Sequence, residues 1–224
     1  MSKKVIIIGG PGNGTVIGSV IENIARHSGE YELIGYLNDG IQRGTLINGY
    51  PVLGPVQKDI CQSFKDVYFV YALISVGKAQ ARVEKLKSLG IPPDRFCNII
   101  HPSVVIGSEV KLGHGVIMMP NVVISPNATI EDHVQIYANS LVGHDTSVAS
   151  YSFIANHASI GSKIKINEGA HIGSNSSIVE GVSIGEWSLI GLGSVVLKDV
   201  EPYDKVVGNP AKSIGSVYRE MKDK

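Results

Sequence analysis

Hydrophobic side chains in the second half of the chain recur with a period of six residues. Starting at Ile106 and stepping by six, all sixteen positions up to Val196 carry an aliphatic side chain or Met. Four residues after each of them the side chain is small or β-branched, as at Val110, Ala128 and Ser140. This period fits neither an α-helix nor a meander, and it is typical of a parallel β-helix with three hexapeptides per coil. The sequence therefore predicts about five coils of about 18 residues, with the aliphatic side chains stacked inside a triangular prism.

Glycine often follows the inward-pointing aliphatic residue, as at Gly143 and Gly161. Because glycine adopts turn dihedrals that a β-carbon resists, we expect these glycines to supply the turn conformation at the corners of the prism.

The first hundred residues follow a different pattern, in which strand-like runs alternate with helix-like ones. The strand-like runs are 5–9, 31–37 and 66–75, and the helix-like runs are 15–27 and 78–90. A loop-rich stretch separates the second and third strands. The alternation predicts a small parallel sheet with covering helices. The predicted fold is thus a small Rossmann-like βαβαβ domain over residues 1–100, followed by an all-β domain over 101–224.

Composition and charge exclude several classes of function. The 224 residues carry a formal net charge of zero, so there is no electrostatic case for binding nucleic acid or an acidic membrane. Cys61 and Cys97 lie far apart in the sequence and are expected to be reduced thiols. The N-terminal apolar run is too short for a signal peptide or a membrane span. These features predict a soluble cytoplasmic protein.

The hexapeptide repeat resembles the left-handed β-helix of the hexapeptide acyltransferases. VVGNPAK, residues 206–212, is similar to the segment with which many of these enzymes leave the helix. The glycine-rich first loop, YLNDG, VGKAQAR, HPSVVIG, GHD and GNPAK occur in this order. Over residues 3–215 the chain therefore resembles the family of sialic acid O-acetyltransferases and bacillosamine-pathway N-acetyltransferases. The resemblance implies acetyl transfer from acetyl-CoA to a sugar amine or hydroxyl, by a homotrimer with active sites between neighbouring prisms.

His144, in the GHD motif, is the candidate general base. Val142 is predicted to point inward, so His144 lies near the outer part of its face, where a histidine has no packing role. As a neutral imidazole it could remove a proton from the attacking amine or hydroxyl. The resemblance gives the following carboxylate, Asp145, the role of orienting the ring, although relatives often carry Glu there. The alternative is a histidine at a β-helix corner with an Asp-capped turn.

The resemblance also implies a set of contacts with acetyl-CoA. The candidate cofactor-binding residues are Phe153, Ser162, Ser174, Leu192 and Lys212. Ser162 lies one coil after His144 and would offer its backbone N–H to the thioester carbonyl, where relatives often have glycine. Phe153 replaces a histidine that many relatives have nine residues after the first. For Lys212 and Lys198 contact with CoA phosphate competes with the ordinary state of a solvated lysine.

The N-terminal domain is the candidate acceptor site. GGPGNG, residues 9–14, follows a strand and opens a helix, a context in which backbone amides approach a phosphate or a ribose. The candidate substrate-binding residues are Pro11, Gly12, Asn13, Asn38, Asp39 and Gly77. Relatives that act on nucleotide-linked 4-amino sugars often have His in place of Asn13 and Asp in place of Asn38. For LNDG, an ordinary Asn-Asp-Gly turn is the alternative.

The remaining histidines do not predict a metal site. The spacing of His144, His157 and His171 differs from the close histidine pair of γ-class carbonic anhydrases, which share the prism. His114 and His133 are expected to face solvent.

The sequence therefore predicts an acetyl-CoA-dependent N-acetyltransferase that acts on a nucleotide-linked amino sugar for surface glycan synthesis. Three alternatives stay open. They are O-acetylation of sialic acid or another sugar hydroxyl, a catalytically silent β-helix that binds nucleotide sugars or serves in assembly, and a metal-dependent hydratase.

Overall fold

A computed structural model describes residues 2–73 and 79–217. The chain divides into two compact units, and the main division falls between Pro102 and Ser103. No helix in the described residues is both long enough and apolar enough to cross a membrane.

The N-terminal unit is a five-stranded sheet with helices. Its elements are β1 (Lys3–Ile8), α1 (Asn13–Ser28), β2 (Tyr31–Leu37), β3 (Leu46–Ile47), β4 (Tyr50–Gly54), α2 (Lys58–Ser63), β5 (Tyr68–Tyr71), α3 (Ala79–Ser88), a 3-10 turn (Pro93–Arg95) and β6 (Ile99–Ile100). The strand order is β3-β4-β2-β1-β5. β1 pairs in parallel with β2 and β5, and β2 pairs in parallel with β4, whereas β3 and β4 are antiparallel. The predicted Rossmann-like domain is confirmed, and its loop-rich stretch contains the β3–β4 hairpin and α2.

Burial explains why the first strand and helix form where they do. β1 lies between two parallel neighbours, so its run Val5–Ile8 is fully buried, as expected of a central parallel strand. Ile17, Ile21 and Ile24 place one face of α1 in the core. The helix begins after Gly12, whose φ of 90° is in the left-handed region that favours glycine. These features leave the N-terminus of α1 directly behind the glycine-rich loop.

The C-terminal unit is a three-sided, left-handed parallel β-helix, as predicted. The first face stacks β7 (Val105–Ile106), β10 (Val123–Ile124), β13 (Leu141–Val142), β16 (Ser159–Ile160), β19 (Ser177–Ile178) and β22 (Val195–Val196). The second face stacks β8 (Lys111–Leu112), β11 (Thr129–Ile130), β14 (Ser147–Val148), β17 (Lys165–Ile166) and β20 (Ser183–Ile184). The third face stacks β9 (Ile117–Met118), β12 (Gln135–Ile136), β15 (Phe153–Ile154), β18 (His171–Ile172) and β21 (Leu189–Ile190), and is extended by the hairpin of β23 (Asp204–Val207) and β24 (Lys212–Ser216).

The predicted register, in which each coil is three hexapeptides long, is confirmed. Ile124 pairs with Ile106 below it and with Val142 above it, and the same offset holds on the other two faces. The inward side chains are buried, except near the open first coil, where Ile106 is 40 % exposed. Stacking of identical or similar aliphatic side chains along the axis is therefore the core of this unit.

The corners differ from the prediction in how they use glycine. Gly143 and Gly161 do not have the left-handed backbone; that conformation falls two residues later, at Asp145 (φ 56°) and Lys163 (φ 57°). A β-carbon on Gly143 would lie 2.4 Å from the carbonyl oxygen of Gly161 in the next coil. The prediction for these glycines was therefore wrong: close approach between successive coils, rather than a turn dihedral, requires glycine there.

His133 corrects a second expectation, because its side chain is buried and not solvent-facing. Only 8 % of His133 is exposed, and its ring stacks on Tyr151 with centroids 5.3 Å apart. Burial lowers the pKa of His133 from 6.5 to about 4.

This burial predicts a contribution of His133 to the pH dependence of stability. Between pH 6.5 and 4 the unfolded chain binds a proton on this ring that the folded chain does not, so the free energy of unfolding falls as pH drops. We expect His133→Phe, which keeps the stack, to reduce that fall in urea unfolding across this range. His157→Phe, at an exposed corner, serves as the control and should keep the wild-type slope. An unchanged slope in His133→Phe would contradict the buried, neutral ring.

Candidate active site

His144 and Asp145 form a hydrogen-bonded pair at the corner between β13 and β14. Nδ1 of His144 lies 2.6 Å from Oδ2 of Asp145, and the two side chains are 52 % and 44 % exposed. Hydrogen bonds from His144 and then from Asn127 hold the pKa of Asp145 below its usual value. An ionised carboxylate can only accept, so Nδ1 of His144 carries a proton and donates a hydrogen bond to Asp145. In the neutral form of the ring, Nε2 is then the nitrogen that can accept a proton from a substrate.

The backbone of this corner is fixed on both sides by neighbouring coils. The Asp145 N–H donates to the carbonyl oxygen of Pro126 in the coil below, at 3.1 Å. The His144 carbonyl oxygen accepts the N–H of Lys163 in the coil above, at 2.9 Å. The ring therefore projects from a rigid corner and not from a free loop.

Ser162 is the neighbour of His144 in the next coil, as predicted from the period of the repeat. Gly143 lets the Gly161–Ser162 peptide approach closely, since a β-carbon there would also lie 2.7 Å from the Ser162 nitrogen. The Thr146 hydroxyl supports this peptide by donating to the Gly161 carbonyl oxygen at 3.1 Å and accepting the Ile164 N–H at 3.2 Å. In the part of the chain that the structure describes, the Ser162 N–H has no hydrogen-bond partner. This N–H can therefore donate a hydrogen bond to an oxyanion bound near His144.

Ser174 and Leu192 lie at another corner, on the other edge of the first face. They occupy the same position in successive coils, and Leu192 is 80 % exposed. Residues at the same position of successive coils form a column along the axis. The first face separates the Ser174–Leu192 column from the His144–Ser162 column, and its outward-pointing Val123 and Leu141 are 37 % and 40 % exposed. The structure thus brings three of the five predicted cofactor residues, Ser162, Ser174 and Leu192, to the borders of one partly apolar face.

Phe153 and Lys212 are not part of that border. Phe153 lies on the third face between the rings of Tyr137 and His171, with centroids 4.8 Å and 4.7 Å away. Lys212 is exposed at the start of β24, and Lys198 is exposed after β22. Phe153 therefore packs in an aromatic stack and offers no polar group to a cofactor.

The glycine-rich loop of the N-terminal unit forms one wall of a cavity of about 210 Å³. The cavity is lined by Gly10, Pro11, Asn13, Gly14, Asn38, Ala72, Leu73 and Arg82. Asn38 is held in place because its Nδ2 donates to the Gly9 carbonyl oxygen at 3.1 Å and its Oδ1 accepts the Gly40 N–H at 2.9 Å. Three of the predicted acceptor residues, Pro11, Asn13 and Asn38, thus come together. Gly12, the residue that precedes α1, belongs to the same loop.

Asp39, another predicted acceptor residue, is not among the residues that line this cavity. Asp39 directs one carboxylate oxygen to the Val56 N–H at 2.7 Å and pairs the other with Lys85. Its carboxylate therefore supports the loop before α2 and is already engaged. Gly77 lies outside the described residues.

Arg82 lines the cavity and was missed by the sequence analysis. The available signal was the VGKAQAR motif, but residue spacing alone does not say which side chain of α3 points toward the loop. None of the described residues that line the cavity is acidic. Arg82 and the N-terminal end of α1 line the same space, and a positive charge near a helix N-terminus favours a bound anion.

The described residues contain no group of three or more His, Cys, Asp or Glu side chains that could hold a metal ion. The groups that the structure brings together at the His144 corner are an imidazole, a carboxylate and a backbone N–H.

Comparisons with known proteins agree with the fold, a Rossmann-like domain followed by a left-handed β-helix. Residues 4–89 match the PglD N-terminal domain family. A curated relative, UDP-N-acetylbacillosamine N-acetyltransferase of Bacillus subtilis (strain 168), is 29 % identical over 117 residues, which are 52 % of this chain. The matched region spans about half (51 %) of that relative's length.

Two solved structures extend the likeness to nearly the whole chain. The acetyltransferase domain of PglB from Neisseria gonorrhoeae FA1090 matches with a TM-score of 0.81 and 24 % identity, covering 95 % of this chain and 100 % of that one. A point mutant of perosamine N-acetyltransferase from Caulobacter crescentus, in complex with CoA and GDP-perosamine, matches with a TM-score of 0.79 and 26 % identity. That match covers 96 % of this chain and 98 % of the other. The family resemblance inferred from the sequence is confirmed.

The Thr146 contacts predict a structural role for its hydroxyl. Thr146→Val keeps the shape but leaves the Gly161 carbonyl oxygen and the Ile164 N–H without this partner. We expect a loss of about 1–3 kcal/mol in the free energy of unfolding, measured by urea titration. Thr146→Ser retains the hydroxyl and is the matched control. Equal stability of the Val and Ser variants would show that the hydroxyl does not support the Gly161–Ser162 peptide.

Proposed function

We propose that this protein transfers an acetyl group from acetyl-CoA to the amino group of a nucleotide-linked amino sugar. The observation that carries the proposal is the His144–Asp145 pair, in which Nδ1 is engaged by the carboxylate, one coil below a Ser162 N–H that has no partner among the described residues. The similar Caulobacter protein has CoA and GDP-perosamine bound, and the similar Bacillus protein is named an N-acetyltransferase of a bacillosamine sugar nucleotide. Their substrates share one chemistry, an amino sugar on a nucleoside diphosphate.

In the proposed reaction the sugar amine attacks the thioester carbonyl while Nε2 of His144 removes its proton. The Ser162 N–H donates to the developing oxyanion, and Asp145 stabilises the imidazolium without taking the proton. Collapse of the tetrahedral intermediate breaks the C–S bond, and His144 returns the proton to the CoA thiolate. The proposed transfer is direct and needs no acyl-enzyme, since the prism can bring both substrates together at one subunit boundary.

The acceptor would bind through its phosphates in the cavity of the N-terminal unit. Arg82 supplies a positive charge there, and the backbone N–H groups at the start of α1 supply donors. Pro11, Gly12, Asn13 and Asn38 form the loop and wall that would contact the sugar nucleotide. Asp39 would act indirectly, because its carboxylate holds the loop before α2. The role of Gly77 in acceptor binding stays a prediction from the sequence.

We further propose a homotrimer with the active sites between neighbouring prisms. The exposed Val105, Val123 and Leu141 give the first face an apolar strip suited to contact with another copy. Because Ser162, Ser174 and Leu192 border that face, acetyl-CoA would lie along it, with Lys212 available to a phosphate. A cytoplasmic location stays a prediction from the sequence.

Transfer to a sugar hydroxyl, as in sialic acid O-acetylation, is the second candidate. It is kept because the cavity is lined by Asn13 and Asn38, where relatives that act on 4-amino sugars often have His and Asp. Both substrate classes therefore belong in the same assay.

The first test measures thiol release from acetyl-CoA with UDP-, GDP- and dTDP-linked 4-amino sugars and with sialic acid. We expect turnover on an amino sugar and a decrease in kcat of about 10²–10⁴-fold in His144→Ala, because the general base is lost. His157→Ala, another exposed corner histidine, should keep wild-type activity. Turnover on sialic acid alone would favour O-acetylation, and equal rates in His144→Ala and wild type would refute the base.

A second test addresses the acceptor cavity. Arg82→Gln removes the positive charge, so we expect KM for the nucleotide sugar to rise about tenfold or more, while KM for acetyl-CoA is unchanged. Arg26→Gln is the control, because Arg26 is exposed in the last turn of α1, at the opposite end of that helix. An unchanged acceptor KM in Arg82→Gln would place the phosphates elsewhere.

A further inference from the structure

We propose that Asn127 is a positioning residue that holds the Asp145 carboxylate in the orientation needed by His144. This inference rests on the proposed function, in which His144 is the base, and it adds a residue from the preceding coil to that machinery. Neither the GHD motif nor the spacing of the histidines points to Asn127, which lies almost a full coil before His144.

The contacts of Asp145 divide its two oxygens between two partners. Oδ1 accepts a hydrogen bond from Nδ2 of Asn127 at 3.1 Å, and Oδ2 accepts one from Nδ1 of His144 at 2.6 Å. Because an ionised carboxylate is only an acceptor, the amide nitrogen of Asn127 must face it. With Oδ1 fixed by Asn127, rotation of the carboxylate away from the ring costs a hydrogen bond.

A neutral donor is suited to this place. A lysine or arginine on Oδ1 would place a second positive charge near His144 and so disfavour an imidazolium there. The Asn127 amide constrains the carboxylate and leaves its full negative charge opposite His144. Lys163 in the coil above also acts on Asp145, but its charge is the last among the effects that lower the Asp145 pKa.

The backbone makes the arrangement specific. Asn127 and Asp145 both have left-handed dihedrals, with φ of 63° and 56°, and occupy the same position in successive coils. Their side chains therefore project from the corner in the same direction, and the Asn127 amide contacts the Asp145 carboxylate. Another corner holds a matching pair, in which Nδ2 of Asn121 donates to Oδ1 of Asn139 at 3.1 Å. That pair has the same ladder geometry without a carboxylate oriented toward a histidine, so it serves as an internal control.

Glycine is the natural probe at these positions. Gly181 lies in the same column as Asn127 and Asp145 and has a φ of 79°. Gly193 lies in the same column as Asn121 and has a φ of 67°. Asn127→Gly and Asn121→Gly thus each delete an amide without straining the backbone. Asn127→Asp keeps the shape but replaces the donor with a second carboxylate.

The experiment combines kinetics with nitrogen-15 NMR of the His144 ring, whose signals are assigned by their absence in His144→Ala. For Asn127→Gly we expect kcat to fall roughly tenfold, with both KM values within about twofold of wild type. We expect the ring to change from the Nδ1–H tautomer to a mixture of tautomers. Asn127→Asp should lower kcat at least as far, and Asn121→Gly should leave both kcat and the ring signals unchanged.

Three results would overturn the proposal: an unchanged kcat and tautomer in Asn127→Gly, an equal fall of kcat in Asn121→Gly, or a fall of kcat with unchanged His144 ring signals. The NMR measurement needs no substrate. If the wild-type protein acetylates no acceptor, the proposed function fails while the ring signals still report whether Asn127 positions Asp145 and His144.

Discussion

The stacking of coils at one fixed offset is the constraint on which the β-helix and its candidate site depend. The strands of the coils are so short that none could form alone, and their hydrogen bonds go to the coils above and below. The aliphatic core and the parallel ladder enforce the same offset. A side chain at a corner therefore acquires its neighbours from the coils on either side, and the local sequence contributes little to its surroundings.

The candidate site uses this constraint to assemble chemistry from separate coils. Asn127, Asp145 and Lys163 share one column, whereas His144 and Ser162 share the adjacent one. The imidazole, the carboxylate and the Ser162 N–H thus come from two adjacent columns, and three successive coils contribute to the site. The side chains of His144 and Asp145 are about half-exposed and therefore remain solvated at this corner.

The sequence predicted the architecture because it follows from a period, whereas the His144–Asp145 pair was predicted from the GHD motif and the family resemblance. The inward aliphatic series defines every coil, and the period then places Ser162 beside His144. Burial and side-chain direction do not follow from it. His133 is buried by a stack on Tyr151, and Asp39 is directed to Val56 and Lys85, neither of which its neighbours in sequence reveal.

Contacts between coils explain two of the other differences, and the orientation of a helix explains the third. Gly143 is required by the backbone of the next coil, and Asn127 becomes relevant only through Asp145. Arg82 depends on the angle at which α3 faces the loop, and helical spacing does not give that angle. In each case the group that the residue contacts in the fold is far from it in the sequence.

The left-handed corner positions also change how this sequence can be compared with its relatives. If the β-helix is written with one coil to a line, Asn127 stands directly above Asp145, and Asn121 stands directly above Asn139. Side chains that meet in space then lie in one vertical column of text. Substitutions in diverging relatives should consequently compensate down columns rather than along lines, and an insertion that is not a whole line would break every pairing across it.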